Sequence, residues 1–359
     1  MKINRKIEPI LKAQKSYELS QRHFLTLRDF TPNEIHALLD IASIVRNEKR
    51  LGEPQNLYRN RHIALLFQKD STRTRCAFEV AARDLGIDVT YIGPSGSQMG
   101  KKESIKDTAR VLGRYYSGIQ FRGHSHEDVE MLAEHAGVPV WNGLTDRYHP
   151  TQVLADFLTI RDQFRTLKDI RLAYVGDARN NVANSLMIGA SKMGMQFTVV
   201  APKALWPDPE LIKYCEEEAK LNDAVLNFTE DMVEGVKNQE VIYTDVWVSM
   251  GEPDHVWRER IALLHPYQVT ATVMRRCSKR AIFLHCLPAF HGLDTEVGVD
   301  IAKKFGEEFP AVAKGELEVT NQVFESRWSK VFDQAENRMH TIKAILLTSL
   351  KKVEDIGWQ

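Results

Sequence analysis

The chain carries few of the features that brace or anchor a protein. Only four of its 359 residues are cysteine: Cys76, Cys215, Cys277 and Cys286. No two of them form a CxxC pair, which removes zinc-ribbon and thioredoxin-like readings. Sparse cysteine in a long chain fits a reducing compartment, so the chain reads as cytoplasmic. An excess of one charge is also missing: 48 Lys and Arg stand against 48 Asp and Glu. A broad surface for nucleic acid or an anionic membrane is therefore not expected, although a local basic pocket remains compatible. No apolar run approaches the roughly 20 residues that span a bilayer. The segment from Met1 to Ser20 contains Glu8 and Glu18 and lacks the continuous apolar stretch of a secretory signal. With Ile7, Ile10, Leu11 and Gln14 on one helical face, it reads as a surface helix or a loose arm.

What is present is ordinary for a globular protein, with 43% hydrophobic and 27% charged residues. The length suits two domains, each able to bury a core. Strand-like runs at His62 to Phe67, Val89 to Ile92, Ile119 to Phe121 and Val138 to Trp141 alternate with helical spacings. The helical sets are Phe78, Ala81, Ala82 and Leu85, and then Ile105, Ala109, Leu112 and Tyr116. The second half repeats the style at Arg171 to Val175, Phe197 to Val200, Val241 to Thr244 and Ile282 to Leu287. Such alternation predicts an α/β protein of two domains, each a parallel β-sheet with helices on both faces. Residues 1–156 form the first domain and 157–335 the second, linked by helices such as Asp156 to Leu167. An apolar stripe of Met339, Ile342, Leu346 and Leu350 marks a last helix, 336–359, packing back on the first domain. Ligands of such sheets bind at the carboxyl ends of strands, and the motifs lie there.

The strongest of them is Ser71-Thr72-Arg73-Thr74-Arg75, between a strand and a helix. A helix N-terminus offers free N–H groups and partial positive charge. Hydroxyl capping alone would account for Ser71 or Thr72. It would not account for two arginines at the end of the dipole that disfavours cations, whereas an anion site would. His149-Pro150-Thr151-Gln152 offers a donor to a carbonyl oxygen and a partner for an amide, but the same residues suit an ordinary turn. Gly176-Asp177-Ala178-Arg179-Asn180-Asn181 sits where a nucleotide loop would, without GxGxxG spacing. Asp245, in DVWVSMGE, is either a receiver of a ligand ammonium or a solvated loop acid. His285-Cys286-Leu287-Pro288 makes a poor metal site because adjacent His and Cys need further ligands that no spacing supplies.

In order along the chain, FQKDSTRTRCAFE, SGSQMGKKESIKDTARVLGR, FRG, HPTQ, GDARNN, DVWVSMGE, FLHCLPAFH and FDQAENRMHTIKA resemble the aspartate/ornithine carbamoyltransferase family. Within it they resemble the members that use ornithine. The resemblance runs from about His23 to Leu350. It implies transfer of the carbamoyl group of carbamoyl phosphate to the side-chain amine of L-ornithine, giving L-citrulline and phosphate, by direct attack and without cofactor or metal. It implies that Ser71, Thr72, Arg73 and Thr74 cradle the phosphate. Arg122, His149 and Thr74 donate to the carbamoyl oxygen, and Gln152 meets the carbamoyl NH2 beside Pro150 and Thr151. Arg338 is a further carbamoyl phosphate contact. Asn181, Asp245, Ser249 and Met250 hold ornithine, and Cys286 and Leu287 line the junction of the substrates. Arg122, His149, Asp245 and Cys286 form the implied catalytic set. Gln98 resembles a residue that enters a neighbouring subunit's cleft, so a homotrimer or a multiple of trimers is implied, with a role in arginine biosynthesis or degradation. Lys101 departs from the histidine common at its position, which touches affinity rather than reaction type. The arm before His23 is longer than in many relatives.

Three other readings compete. The acceptor could be aspartate, putrescine or an acylated ornithine, but aspartate would demand basic residues in the second domain. A nucleotide-dependent dehydrogenase shares the sheet pattern and needs the glycine fingerprint that is missing. A non-catalytic binding protein would not need every matched site residue.

Overall fold

A computed structural model describes residues 8–52, 57–248 and 253–350, with Leu11 described by its backbone alone. The chain divides into two compact units: Met1–Leu158 with Ala335–Gln359, and Thr159–Gln334.

The first unit is built on β1 (Arg61–Phe67), β2 (Ile87–Ile92), β3 (Gly118–Arg122) and β4 (Val140–Leu144), ordered β2-β1-β3-β4 and parallel throughout. Residues 63–67 are all buried, as a strand covered on both faces requires. Ile119, Phe121 and Val140 meet Ala109 and Leu112 of the Ile105–Tyr115 helix and Val129 and Leu132 of the His126–Ala136 helix. β4 begins two residues later than the expected Val138. Gly137, at φ 67, closes the preceding helix, and Pro139 has no N–H to give a ladder.

The Val331–Ser349 helix begins in the second unit and runs into the first. There Lys343 Nζ, wholly buried, lies 2.5 Å from Asp84, which also meets Lys49 at 2.7 Å. Trp141 Nε1 donates to Ser349 Oγ at 2.8 Å and Tyr58 Oη to the Leu347 carbonyl at 2.9 Å. The arm expected as a surface helix or loose arm is a helix, Glu8–Tyr17, with one face buried: Ile10 and Ala13 are covered. Gln14 Nε2 donates to the Leu347 carbonyl at 2.8 Å. Ile7 and the Leu11 side chain, placed on that face by the sequence, lie outside the described residues.

The second unit holds β5 (Arg171–Val175), β6 (Gln196–Val200), β7 (Val225–Thr229), β8 (Val241–Thr244) and β9 (Ile282–His285), ordered β7-β6-β5-β8-β9 and parallel. The sequence pattern did not announce β7. It is an edge strand of mixed exposure, with Val225 turned to solvent and no run of buried residues. β9 stops at His285 rather than Leu287, because Leu287 turns into the left-handed region at φ 59. The helix expected over Asp156 to Leu167 is Pro150–Phe164. Proline suits a first helical position, where its missing N–H has no intrahelical partner to lose, and Arg165 at φ 68 ends the helix.

Strand order reverses once in each sheet, between β1 and β3 and between β5 and β8. Ligand crevices of open parallel sheets form beyond the carboxyl ends of strands at such reversals. STRTR follows β1, Arg122 ends β3, GDARNN follows β5 and Asp245 follows β8.

Candidate active site

In the first unit the STRTR segment opens the Thr72–Asp84 helix. Ser71 is its N-cap: Ser71 Oγ accepts from Thr74 N at 3.3 Å. Thr72 is exposed, Arg73 half-buried and Thr74 fully buried. Oγ1 of Thr74 accepts from Arg122 Nη1 at 3.2 Å and from Arg338 Nη2 at 2.9 Å. One hydroxyl thus gathers guanidinium groups from the end of β3 and from the last helix. His149 is buried just before Pro150. Burial, and then the positive charges of Arg338, Arg122 and Arg73, push its pKa well below the ordinary histidine value, so it is neutral near pH 7.

Pro150, Thr151 and Gln152 form the buried first turn of the next helix. Gln152 Nε2 donates to Asp156 Oδ1 at 2.8 Å, which assigns the amide's orientation. Its Oε1 is buried with no hydrogen-bond partner among the described residues. Gln98 is not brought to this group. It is exposed in the turn after β2, where its carbonyl accepts from Lys101 N at 3.0 Å and from Lys102 N at 3.1 Å.

In the second unit β5 is followed by Gly176, whose φ of 121 favours a residue without Cβ. Asp177 then binds Arg179, and Asn180 caps the Asn181–Lys192 helix through Ala183 N at 2.8 Å. Asn181 stands at the first position of that helix. Asp245 follows β8, and its Oδ1 receives Cys286 Sγ at 3.0 Å and Val246 N at 2.8 Å. Burial pushes the Asp245 carboxyl up, against the opposing influence of His285 and of the Cys286 hydrogen bond. Ser249 and Met250 lie outside the described residues.

His285 organises the turn that follows β9. Its Nδ1 accepts from Leu287 N at 2.9 Å, and its Nε2 lies 3.2 Å from Glu318 Oε1. Glu318 also accepts from Phe290 N at 2.7 Å. Leu287 is thereby held at positive φ beside Cys286, a conformation that persists only where neighbours fix it. Asp245, His285 and Cys286 place ligand atoms within 4.8 Å of one another. Sequence spacing did not reveal that group, because Asp245 arrives from a different strand. Three donors fall one short of a closed tetrahedral metal site, and His285 Nδ1 already accepts from Leu287 N.

Sequence reasoning passed over Asp156, Glu318 and Gln334. Asp156 had a usable signal, since it stands four residues after Gln152 on one helix. Gln334, one turn before Arg338 in FDQAENR, accepts from His285 N at 3.0 Å. Glu318 carried no signal. Among the described residues no helix is long and apolar enough to cross a membrane.

Two family profiles match the chain. The aspartate/ornithine carbamoyltransferase carbamoyl-P binding domain covers residues 22–162, and the Asp/Orn binding domain of the same family covers 168–349. The chain is 57% identical to a catabolic ornithine carbamoyltransferase of Streptococcus agalactiae, over 92% of this chain and 98% of that one. It is 55% identical to a catabolic ornithine carbamoyltransferase of Treponema denticola, over 95% and 98%. The solved ornithine carbamoyltransferase of Pyrococcus furiosus superposes with a TM-score of 0.84 at 39% identity, covering 92% of this chain and 98% of that one. With matches along both units and motifs at both sheet reversals, the chain belongs to the aspartate/ornithine carbamoyltransferase family, among its ornithine carbamoyltransferases.

Proposed function

We propose that the chain transfers the carbamoyl group of carbamoyl phosphate to the side-chain amine of L-ornithine, yielding L-citrulline and phosphate by direct attack. The observation that carries this reading is the Thr74 hydroxyl shared by Arg122 and Arg338 beside a neutral, buried His149. Carbamoyl phosphate is a small, highly charged mixed anhydride. Attack on it builds negative charge on the carbonyl oxygen and then on the departing phosphate. Fixed cations and N–H donors stabilise both, and they require no covalent nucleophile.

In this reading the first unit holds carbamoyl phosphate. Ser71, Thr72, Arg73 and Thr74 receive the phosphate at the helix N-terminus, where free N–H groups favour an anion. Arg122, His149 and Thr74 serve the carbonyl oxygen, with neutral His149 able to donate one N–H. Oε1 of Gln152, a buried acceptor, meets the carbamoyl NH2, next to Pro150 and Thr151. Arg338 adds a further contact. The second unit holds ornithine, with Asn181 at its carboxylate, Asp245 at its α-ammonium and Ser249 and Met250 alongside. Cys286 and Leu287 line the junction of the substrates.

The attacking amine must be neutral. An alkyl ammonium of pKa near 10.4 costs about 4 kcal/mol to deprotonate at pH 7.4. Cys286, held against Asp245, is suited to orienting that amine and helping it release its proton. Gln98, exposed after β2, is read as serving a neighbouring subunit of a cytoplasmic homotrimer. The word catabolic in the names of the 57% and 55% identical relatives supports arginine degradation as the setting.

A colorimetric citrulline assay with carbamoyl phosphate and a panel of ornithine, aspartate, putrescine and acetylornithine tests the reading. Ornithine should be the preferred acceptor. Putrescine lacks the carboxylate and leaves polar site groups unpaired, so it should be very poor. Comparable kcat/KM for putrescine and ornithine would reject the proposal.

A further inference from the structure

Two tyrosines lie side by side in the core of the second sheet. Tyr174 on β5 is in register with Tyr243 on β8, both are wholly buried, and their rings stack at 6.0 Å and 21°. Phenylalanine would fill the same space without bringing a hydroxyl that needs a partner. Each phenol instead meets an amide side chain, and each amide makes a second bond to backbone that leads to the site.

Tyr174 Oη accepts from Asn180 Nδ2. Oδ1 of the same asparagine accepts from Ala183 N at 2.8 Å and so fixes the first turn of the Asn181–Lys192 helix. Asn181 is the next residue. Tyr243 Oη accepts from Gln334 Nε2 at 3.1 Å. Oε1 of Gln334 accepts from His285 N at 3.0 Å, one residue before Cys286. Gln334 is itself 1% exposed, so its geometry is set by these bonds rather than by water. The two braces run from neighbouring strands to the two arms that carry Asn181 and Cys286.

We propose that the hydroxyls of Tyr174 and Tyr243 are positioning groups for the ornithine subsite. Tyr174, through Asn180, sets where Asn181 stands. Tyr243, through Gln334, sets where Cys286 stands against Asp245. Neither phenol touches substrate. The proposal rests on the ornithine reading above, because it assigns the arms their tasks.

Tyr174→Phe and Tyr243→Phe keep the stacked rings and remove one hydroxyl each. The readouts are KM for each substrate, kcat, melting temperature and binding of norvaline, which is ornithine without its side-chain amine. Tyr174→Phe should raise KM for ornithine and Kd for norvaline by about 3- to 10-fold, the range one neutral hydrogen bond spans, with KM for carbamoyl phosphate unchanged. Tyr243→Phe should lower kcat by about the same factor and speed the alkylation of Cys286 by iodoacetamide, followed by peptide mass spectrometry. Gln334→Met, of similar volume, should reproduce the Tyr243→Phe pattern. Variants equal to the parent in every readout would overturn the proposal. So would parallel losses for both substrates that track a lower melting temperature, since packing alone predicts those. A parent protein that fails to carbamoylate ornithine would sink the functional reading, a separate result from either.

Discussion

Arg338 reaches back across 264 residues of sequence to place Nη2 at 2.9 Å from Oγ1 of Thr74. Arg122 uses the same oxygen at 3.2 Å, so the threonine sets the spacing of two cations. Thr74→Val keeps the shape and removes the shared acceptor. It should lower kcat/KM for carbamoyl phosphate by about 10- to 100-fold, because misplaced donors stabilise developing charge poorly. Arg73→Ala should lower the same constant by at least ~100-fold, as for loss of a charge-stabilising donor. Steady-state kinetics with carbamoyl phosphate varied would check both, and near-normal turnover in either variant would remove that residue from the cradle.

His149 stays neutral when folded because burial and three arginines hold its pKa well below the ordinary value. Once unfolded it takes up a proton below about pH 6.5. The unfolded state therefore binds more protons as pH falls, and stability is lost on the acid side. Relative to His149→Gln, the parent should lose up to about 1.4 kcal/mol per pH unit below pH 6.5, the value for one proton. Urea melts of both proteins at pH 7, 6 and 5 supply the comparison. A difference that does not change with pH would contradict a neutral buried His149.

The side-chain amine of ornithine must shed a proton before it attacks. At low ornithine the rate should climb between about pH 7 and 8.5, as the reactive fraction grows. Initial rates across that range, at saturating carbamoyl phosphate, would show it. A flat profile would mean that proton loss is not limiting or that the acceptor is not an alkyl amine.

Gln98 is exposed and makes none of the contacts that join Thr74, Arg122 and Arg338. If it serves a neighbour in a cyclic trimer, Arg73→Ala and Gln98→Ala subunits should complement each other after mixing and reassociation. Random equal mixing would restore roughly one quarter of the sites, from the symmetry of heterologous contacts. Activity equal to the mean of the two parents would argue that each site is built within one chain.

Much of this was legible in the residues, for a physical reason. Strands covered on both faces write continuous apolar runs, so His62 to Phe67 and Arg171 to Val175 stood out. The edge strand Val225–Thr229, with its mixed exposure, left no such run. The STRTR cluster was visible because two arginines oppose the helix dipole. Its link to Arg338 came only through the family resemblance, since residue spacing does not show which distant segments folding brings together. The same limit hid Glu318, which reaches His285 from 33 residues away with both side chains fully buried. Ser249 and Met250 lie outside the described residues.

The clasp between the two ends of the chain bears on the order of events during synthesis. The first unit is discontinuous: its sheet is made early, but Lys343, Leu347 and Ser349, which Asp84, Gln14 and Trp141 require, come last. The second unit is a single stretch, Thr159–Gln334, and is complete before them. Domains usually close in the order in which they leave the ribosome. The earlier-made sheet waits, with Asp84 lacking Lys343 and the Trp141 indole lacking Ser349, until the Val331–Ser349 helix arrives. The first unit therefore stays unfinished until the Val331–Ser349 helix has been made, although all of its strands precede the second unit.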